Sequence, residues 1–213
     1  MLQFTRVRKS FGTKKILDIP FLELHGGIYW LQGANGTGKT SLLRMLAGIL
    51  PFDGDIRWKD HSLRADPVAY RRSVGWADAE PIYPDFLTGE DLLDFYRDIQ
   101  RPRPGQLDEL IDVFGVSPWL GTKTVTWSAG MCKKVSLLLA FIGEATLITL
   151  DEPLVTLDQQ GVTGLYGLIL ERHRKSGTSF ILSSHQDIPG HSFATLQKII
   201  LVNHSIELIQ SYL

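Results

Sequence analysis

At 213 residues, with 44% hydrophobic and 21% charged residues, the chain has the make-up of a soluble globular protein with room for a large core, not of a disordered one. A formal net charge of −1 gives no electrostatic footprint for nucleic acid, so no nucleic-acid partner is expected. A single cysteine, Cys132, excludes an internal disulfide and fits a reducing, cytoplasmic compartment, residues 1–8 lack the apolar run of a signal peptide, and the longest strongly apolar stretch, 135–142, is too short to span a bilayer.

Residues 2–8 alternate apolar and polar, which predicts a half-buried strand. A turn over 10–13 and a second strand over 16–24 follow, and these two strands are expected to flank the next one. Phe11, an aromatic at that turn, is suited either to stacking on a base or to packing on the sheet. A short apolar run then ends at Gly33, and Gly33-Ala34-Asn35-Gly36-Thr37-Gly38-Lys39-Thr40-Ser41 leads into an apolar segment with helical spacing. Gly33, Gly38, Lys39 and Thr40 fill every fixed position of a phosphate-binding loop. Its glycines let backbone N–H groups turn inward, and the helix presents its own unpaired N–H groups to an anion. Lys39 adds a positive charge for the β- and γ-phosphates, and the Thr40 hydroxyl is a ligand for Mg²⁺. The loop predicts binding of a nucleoside triphosphate.

Beyond the loop, the pattern predicts a helix over 39–50, a strand over 55–58, a brief helix from Asp66-Pro67 to about residue 72, and a strand over 73–77. From 78 to about 125 prolines punctuate short helical pieces, Thr88-Gly89-Glu90-Asp91 resembles a capping box, and strand-like alternation is absent, so this stretch reads as a helical insert in an α/β core. Tyr83, Phe86, Leu87, Leu92, Phe95 and Tyr96 load its start with apolar groups. Ser128 is the expected N-cap of a helix over 132–143. An apolar strand over 146–150 ends in Asp151-Glu152-Pro153. Asp151 is suited to holding Mg²⁺, and Glu152, one residue further, to polarising a water that attacks the γ-phosphate. After a helix over 159–175, a buried strand over 179–182 leads to His185, which emerges on the same sheet edge and can orient that water. A hairpin over 198–202 and 205–209 turns at Asn203-His204.

In this order, and over nearly its whole length, the chain resembles an ABC-type ATPase, the nucleotide-binding subunit of an ATP-binding-cassette transporter. The resemblance implies an α/β fold. A P-loop NTPase core with a mostly parallel sheet (1–77 and 146–213) is joined by an N-terminal antiparallel β part and an inserted helical subdomain (about 78–145). By resemblance Phe11 stacks on adenine, residues 33–41 hold ATP, Thr40 and Asp151 hold Mg²⁺, Glu152 and His185 are catalytic, and Asp158 lies in an aspartate-bearing loop. The family hallmark, usually Leu-Ser-Gly-Gly-Gln, is here Trp127-Ser128-Ala129-Gly130-Met131. Its Ser128 and Gly130 are implied to face ATP held by an opposing subunit, so two ATPase chains, identical or different, dimerise around nucleotide. The resemblance further implies a transmembrane permease subunit, received in part by the aromatics of the insert, and a peripheral place on the inner face of the membrane. The Tyr83-Pro84-Asp85 and Gly130-Met131 neighbourhoods look more like exporter than importer subunits.

One departure stands out. The family's glutamine at the junction of core and insert, a Mg²⁺ contact, is replaced by Ala79, with Asp78 and Glu80 as alternative polar groups. Two rivals are weighed. A soluble ABC-type ATPase of DNA repair or translation carries coiled-coil inserts or two cassettes, which the sequence lacks. A P-loop kinase or GTPase is opposed by the absence of an Asn-Lys-x-Asp segment.

Overall fold

The two N-terminal strands do not flank the strand that enters the phosphate loop. In a computed structural model, which describes residues 1–184 and 196–209, β1 (Leu2–Phe11) and β2 (Lys14–Leu24) pair antiparallel, with Leu2 opposite Leu24 and Val7 opposite Ile19. With β4 (Asp53–Trp58) and β5 (His61–Ser62) they build a separate four-stranded sheet in the order β2-β1-β4-β5. The physical reason lies in their alternation: one face of β1 is buried and the other meets solvent, the pattern of an antiparallel sheet covered on one side. Phe11 is the last residue of β1 and not part of the turn.

β3 (Ile28–Gln32) is buried on both faces and belongs elsewhere. It lies between β8 (Ser179–Ser183) and β9 (Leu196–Val202) in a six-stranded sheet of order β10-β9-β3-β8-β7-β6, completed by β6 (Val74–Ala77), β7 (Leu147–Leu150) and β10 (Ser205–Ile209). Every pairing in this sheet is parallel except that of β10 with β9. The carboxyl ends of β3, β6, β7 and β8 therefore share one edge, where a parallel sheet places its ligands.

The six α-helices of the described residues are α1 (Lys39–Leu46), α2 (Pro67–Arg72), α3 (Gly89–Gln100), α4 (Gln106–Phe114), α5 (Ala129–Phe141) and α6 (Gln159–Ser176). α1 stops four residues earlier than the apolar pattern suggests, because Gly48 takes a left-handed φ of 70°. The expected capping box forms at α3, where Thr88 Oγ1 accepts from the Asp91 N–H and the Asp91 carboxylate accepts from the Thr88 N–H. Between β6 and β7 the described chain is helical, α3 to α5, apart from one isolated bridge between Thr88 and Lys123.

Side-chain alternation along the parallel strands divides the interior in two. Tyr29, Leu31, Leu147 and Ile181 face a core shared with α1 and the antiparallel sheet, whereas Ile28, Trp30, Ile148, Leu150, Phe180 and Leu182 face a core shared with α3 to α6. Polar links tie the layers together. Trp58 Nε1 donates to Thr146 Oγ1 at 2.8 Å, and the buried Gln106 side chain both donates to and accepts from the Gly143 backbone.

α5 packs so close to β6 that a Cβ on Gly75 would stand 2.2 Å from the Ala140 carbonyl oxygen. Gly75→Ala is therefore expected to cost about 1–3 kcal/mol of stability through overpacking, read as a lower urea midpoint. An unchanged midpoint would show that the contact yields freely.

Candidate functional site

The edge of the parallel sheet carries a cleft of about 280 Å³ lined by Ile16, Asn35, Gly36, Gly38, Lys39, Thr40, Ser41, Asp151 and Glu152. The phosphate loop after β3 and the carboxylate pair after β7 thus meet, although 110 residues of sequence separate them. A neighbouring cleft of about 240 Å³ shares Ile16 and Gly36 and adds Lys14, Lys15, Thr37 and residues 201–204. A larger one, about 560 Å³, lies at the far end of α1 around residues 48–54 and contains none of these groups.

The loop is held by its own atoms. Thr37 Oγ1 donates to the Ala34 carbonyl at 2.8 Å, and Lys39 Nζ donates to the carbonyls of Gly33 at 2.7 Å and Ala34 at 3.2 Å. Gly38 caps α1 in the left-handed region, φ 108°, and a Cβ there would stand 2.6 Å from Ile16 Cγ2. This cap offers no side-chain acceptor, and no acidic residue lies in the first turn. The N–H groups and the positive end of the α1 dipole consequently face the cleft without an internal anion. Burial pushes the Lys39 ammonium below its ordinary pKa, opposed by Glu152 and Asp151 across the cleft.

Asp151 is 1% exposed, and its two carboxylate oxygens differ. Oδ1 accepts from Ser183 Oγ at 2.5 Å, whereas Oδ2 is buried with no hydrogen-bond partner among the described residues. A buried anionic oxygen without a donor is costly, and a divalent cation satisfies it. The residues present therefore fit Mg²⁺, which takes one or two carboxylates and completes its shell with phosphate and water. No cluster of three His, Cys, Asp or Glu exists among the described residues. Ser183 Oγ also accepts from the Glu152 N–H at 2.9 Å and fixes the corner. Glu152 holds a left-handed φ of 45°, which costs a non-glycine residue about 1–3 kcal/mol and re-aims its side chain at the strand end.

Two residues of this corner are absent from the sequence reading. Ser183 gives no local signal, because its partner is 32 residues away. Lys133 on α5 is 1% exposed and donates through Nζ to the carbonyls of Asp78 at 2.7 Å, Ala79 at 3.3 Å and Asp151 at 2.7 Å. Burial pushes its pKa down to about 8, opposed by Asp151, Asp78 and Glu152. A signal existed: Lys133 shares a helix face with Leu137, Ala140 and Phe141, all buried.

Ser128, Gly130, Asp158 and Phe11 do not line the cleft. Ser128 caps α5, accepting from the Met131 N–H at 3.2 Å. Its own N–H donates to Met131 Sδ at 3.5 Å, so the methionine completes the capping box in place of a polar residue. Gly130 faces the Thr156 carbonyl, 3.0 Å from an added Cβ. Asp158 caps α6, accepting from the Gly161 N–H at 2.8 Å, and pairs with Lys134 on α5 at 2.8 Å. Lys134 first and the Gly161 N–H second hold the Asp158 carboxyl below its ordinary range. Phe11 is half exposed, with Lys9 Nζ 5.0 Å above its ring. At the junction, Asp78 is bound by Arg44 at 2.9 Å, Glu80 is exposed, and Ala79 contributes a carbonyl. His185 lies outside the described residues. On the insert, Leu92 is buried and Tyr83, Leu87 and Tyr96 pack against the core, whereas Ile82 (93%), Phe86 (72%) and Phe95 (61%) are exposed.

Comparison with known proteins gives a consistent set. The family model described as ABC transporter matches residues 21–155. The cytochrome c biogenesis ATP-binding export protein CcmA of Yersinia pseudotuberculosis is 33% identical over 188 residues, covering 87% of this chain and 85% of that protein. CcmA of Haemophilus influenzae is 31% identical, covering 85% of each. Among solved structures, an ATP-binding subunit of an ABC transporter superposes with a TM-score of 0.85 at 23% identity, covering 98% of this chain and 90% of the other. A putative cobalt transport ATP-binding protein gives 0.80 at 23% identity, covering 98% and 80%. These structures share the fold.

Ser183→Ala removes both the donor to Asp151 and the acceptor of the Glu152 N–H. The loss is expected to cost about 1–3 kcal/mol in urea unfolding, since a buried polar group is left unpaired. A difference within error of zero would show that the hydroxyl does not hold the corner.

Proposed function

The chain belongs to the ABC transporter family as an ATP-binding, ATP-hydrolysing subunit, and from that premise we propose how its residues divide the work. The loop 33–41 grips the triphosphate: Lys39 and the N–H groups at the start of α1 bind the β- and γ-phosphates. The orphaned Asp151 Oδ2 is the observation that carries the rest, because it supplies a cation ligand beside the loop. Asp151 and Thr40 hold Mg²⁺, which neutralises phosphate charge when bound. Glu152 accepts the proton of the attacking water as it adds to the γ-phosphorus and the bond to the β–γ bridging oxygen breaks, leaving ADP and inorganic phosphate. His185, by its place after β8, orients that water. The base side of ATP fits the neighbouring cleft at Lys14, Lys15 and Ile16, next to Phe11 at the end of β1.

Ser128, Gly130 and Asp158 lie away from this cleft, which supports a site completed by a second ATPase subunit. The N-terminus of α5 carries about half a positive charge toward an anion bound in the opposing chain. No helix among the described residues is long and apolar enough to cross a membrane, and in this reading a permease subunit supplies the membrane path. Ile82, Phe86 and Phe95 are exposed apolar side chains on the insert, suited to meeting a helix of that subunit at a peripheral place on the inner membrane face. The relatives named as export proteins support export as the direction.

Lys39→Ala is expected to weaken ATP binding about 10- to 100-fold in equilibrium titration, the loss of a charge-assisted contact of about 1.5–3 kcal/mol. Unchanged affinity would remove the loop from the phosphate role. Glu152→Gln is expected to lower turnover at least about 100-fold while ATP drives the chain to twice its mass in sedimentation. Retained turnover would take the base role from Glu152, and a persistent monomer would contradict a site shared between two copies of this chain.

A further inference from the structure

Lys133 is spent on a task that the ATP site alone does not require. Its ammonium has three donors, and three backbone carbonyls take them: Asp78 and Ala79 at the junction of core and insert, and Asp151 at the end of β7. The junction is thereby tied to the strand that presents the carboxylate pair, with 18 residues between Lys133 and Asp151 and 54 between Lys133 and Ala79. Further bonds converge on the same segment. The Asp78 N–H donates to Ser136 Oγ, one turn on from Lys133 on α5, and the Asp78 carboxylate is held by Arg44 on α1, the helix that begins at Lys39. The Asp151 N–H donates to the Ala77 carbonyl at 2.9 Å, which closes the circle.

The Ala79 side chain reaches nothing polar, but its carbonyl is engaged. We propose that Lys133 is a positioning residue that couples the placement of α5, and hence of the inserted helices, to the Asp151–Glu152 corner, supplying through backbone carbonyls a link that no side chain at position 79 can make. The inference rests on the ATPase reading given above. α5 is suited to such a lever: Ser128 and Lys133 stand about 7.5 Å apart along one continuous helix, so a push on the capped end reaches the lysine. Lys134, the next residue, clamps Asp158 to the same helix. A shift of α5 by a fraction of an ångström therefore moves the carbonyl of Asp151, while Gly33–Lys39 keeps its own internal bonds.

The test uses the full chain as wild type, Lys133→Met and Lys133→Arg, with two independent readouts. In amide hydrogen exchange without nucleotide, Lys133→Met is expected to speed exchange over 76–80 and 148–153 and to leave 33–41 unchanged. In ATPase assays the same variant is expected to lower kcat about 10- to 100-fold and to raise the Mg²⁺ concentration for half-maximal rate, with KM for ATP unchanged. Lys133→Arg, which keeps the charge and the donors, restores most of both. Wild-type exchange, or wild-type kcat and Mg²⁺ dependence in Lys133→Met, overturns the proposal. An equal loss of ATP affinity and turnover also overturns it, since that marks a general collapse of the site. Should Lys133→Met fail to fold, Lys133→Gln carries the same expectations to a smaller degree. A wild-type chain without ATPase activity overturns the functional reading instead, and the exchange readout still decides the link.

Discussion

A carboxylate buried at the end of a parallel strand is the constraint on which the site depends. Asp151 is placed there by β7, one oxygen takes the Ser183 hydroxyl, and the other has no donor among the described residues. Folding tolerates such an atom only where the surroundings are rigid enough to hold it, because an unpaired buried anion otherwise moves toward water. The rigidity comes from β6, β7 and β8 lying side by side, from α5 pressed against β6 at Gly75, and from Lys133 beneath the corner. The left-handed Glu152 belongs to the same account: its strained backbone is pinned by the Ser183 oxygen.

The parallel sheet gives this corner its counterpart. Because β3 lies next to β8 and β8 next to β7, the loop leaving β3 and the pair leaving β7 open onto one cleft. The antiparallel sheet serves a different end. It packs over α1 from the other side, burying Leu42, Leu43, Met45 and Leu46, and so holds the phosphate loop and its helix in place. Ile16 of β2 touches Gly38 closely and lines the cleft, which carries that support to the loop itself.

How much of this is legible in the sequence depends on the range of the interactions. The phosphate loop, the caps at Thr88 and Ser128, and the turn at Asn203-His204 are local, and composition at fixed spacing identifies them. The Asp-Glu pair was legible because an apolar run announces its strand. The expectation that β1 and β2 flank β3 fails because adjacency in the chain does not choose a sheet. The contrast between alternating burial in β1 and continuous burial in β3 is the signal that separates them. Ser183 gives no local signal because its partner lies 32 residues away, whereas Lys133 is marked only by its place on the buried face of α5. Met131 as a cap acceptor contradicts the chemistry usually expected of that position, since a thioether is a weak acceptor.

The central claim is that Asp151 holds the cation beside bound ATP, and Mn²⁺ used in place of Mg²⁺ makes this visible. Electron paramagnetic resonance of Mn²⁺ titrated into the chain with ATP should show an immobilised ion in the wild type. Asp151→Asn should still bind ATP but release the ion to the spectrum of free Mn²⁺·ATP. Equal immobilisation in both would contradict the account, because the cation would then owe nothing to the buried carboxylate.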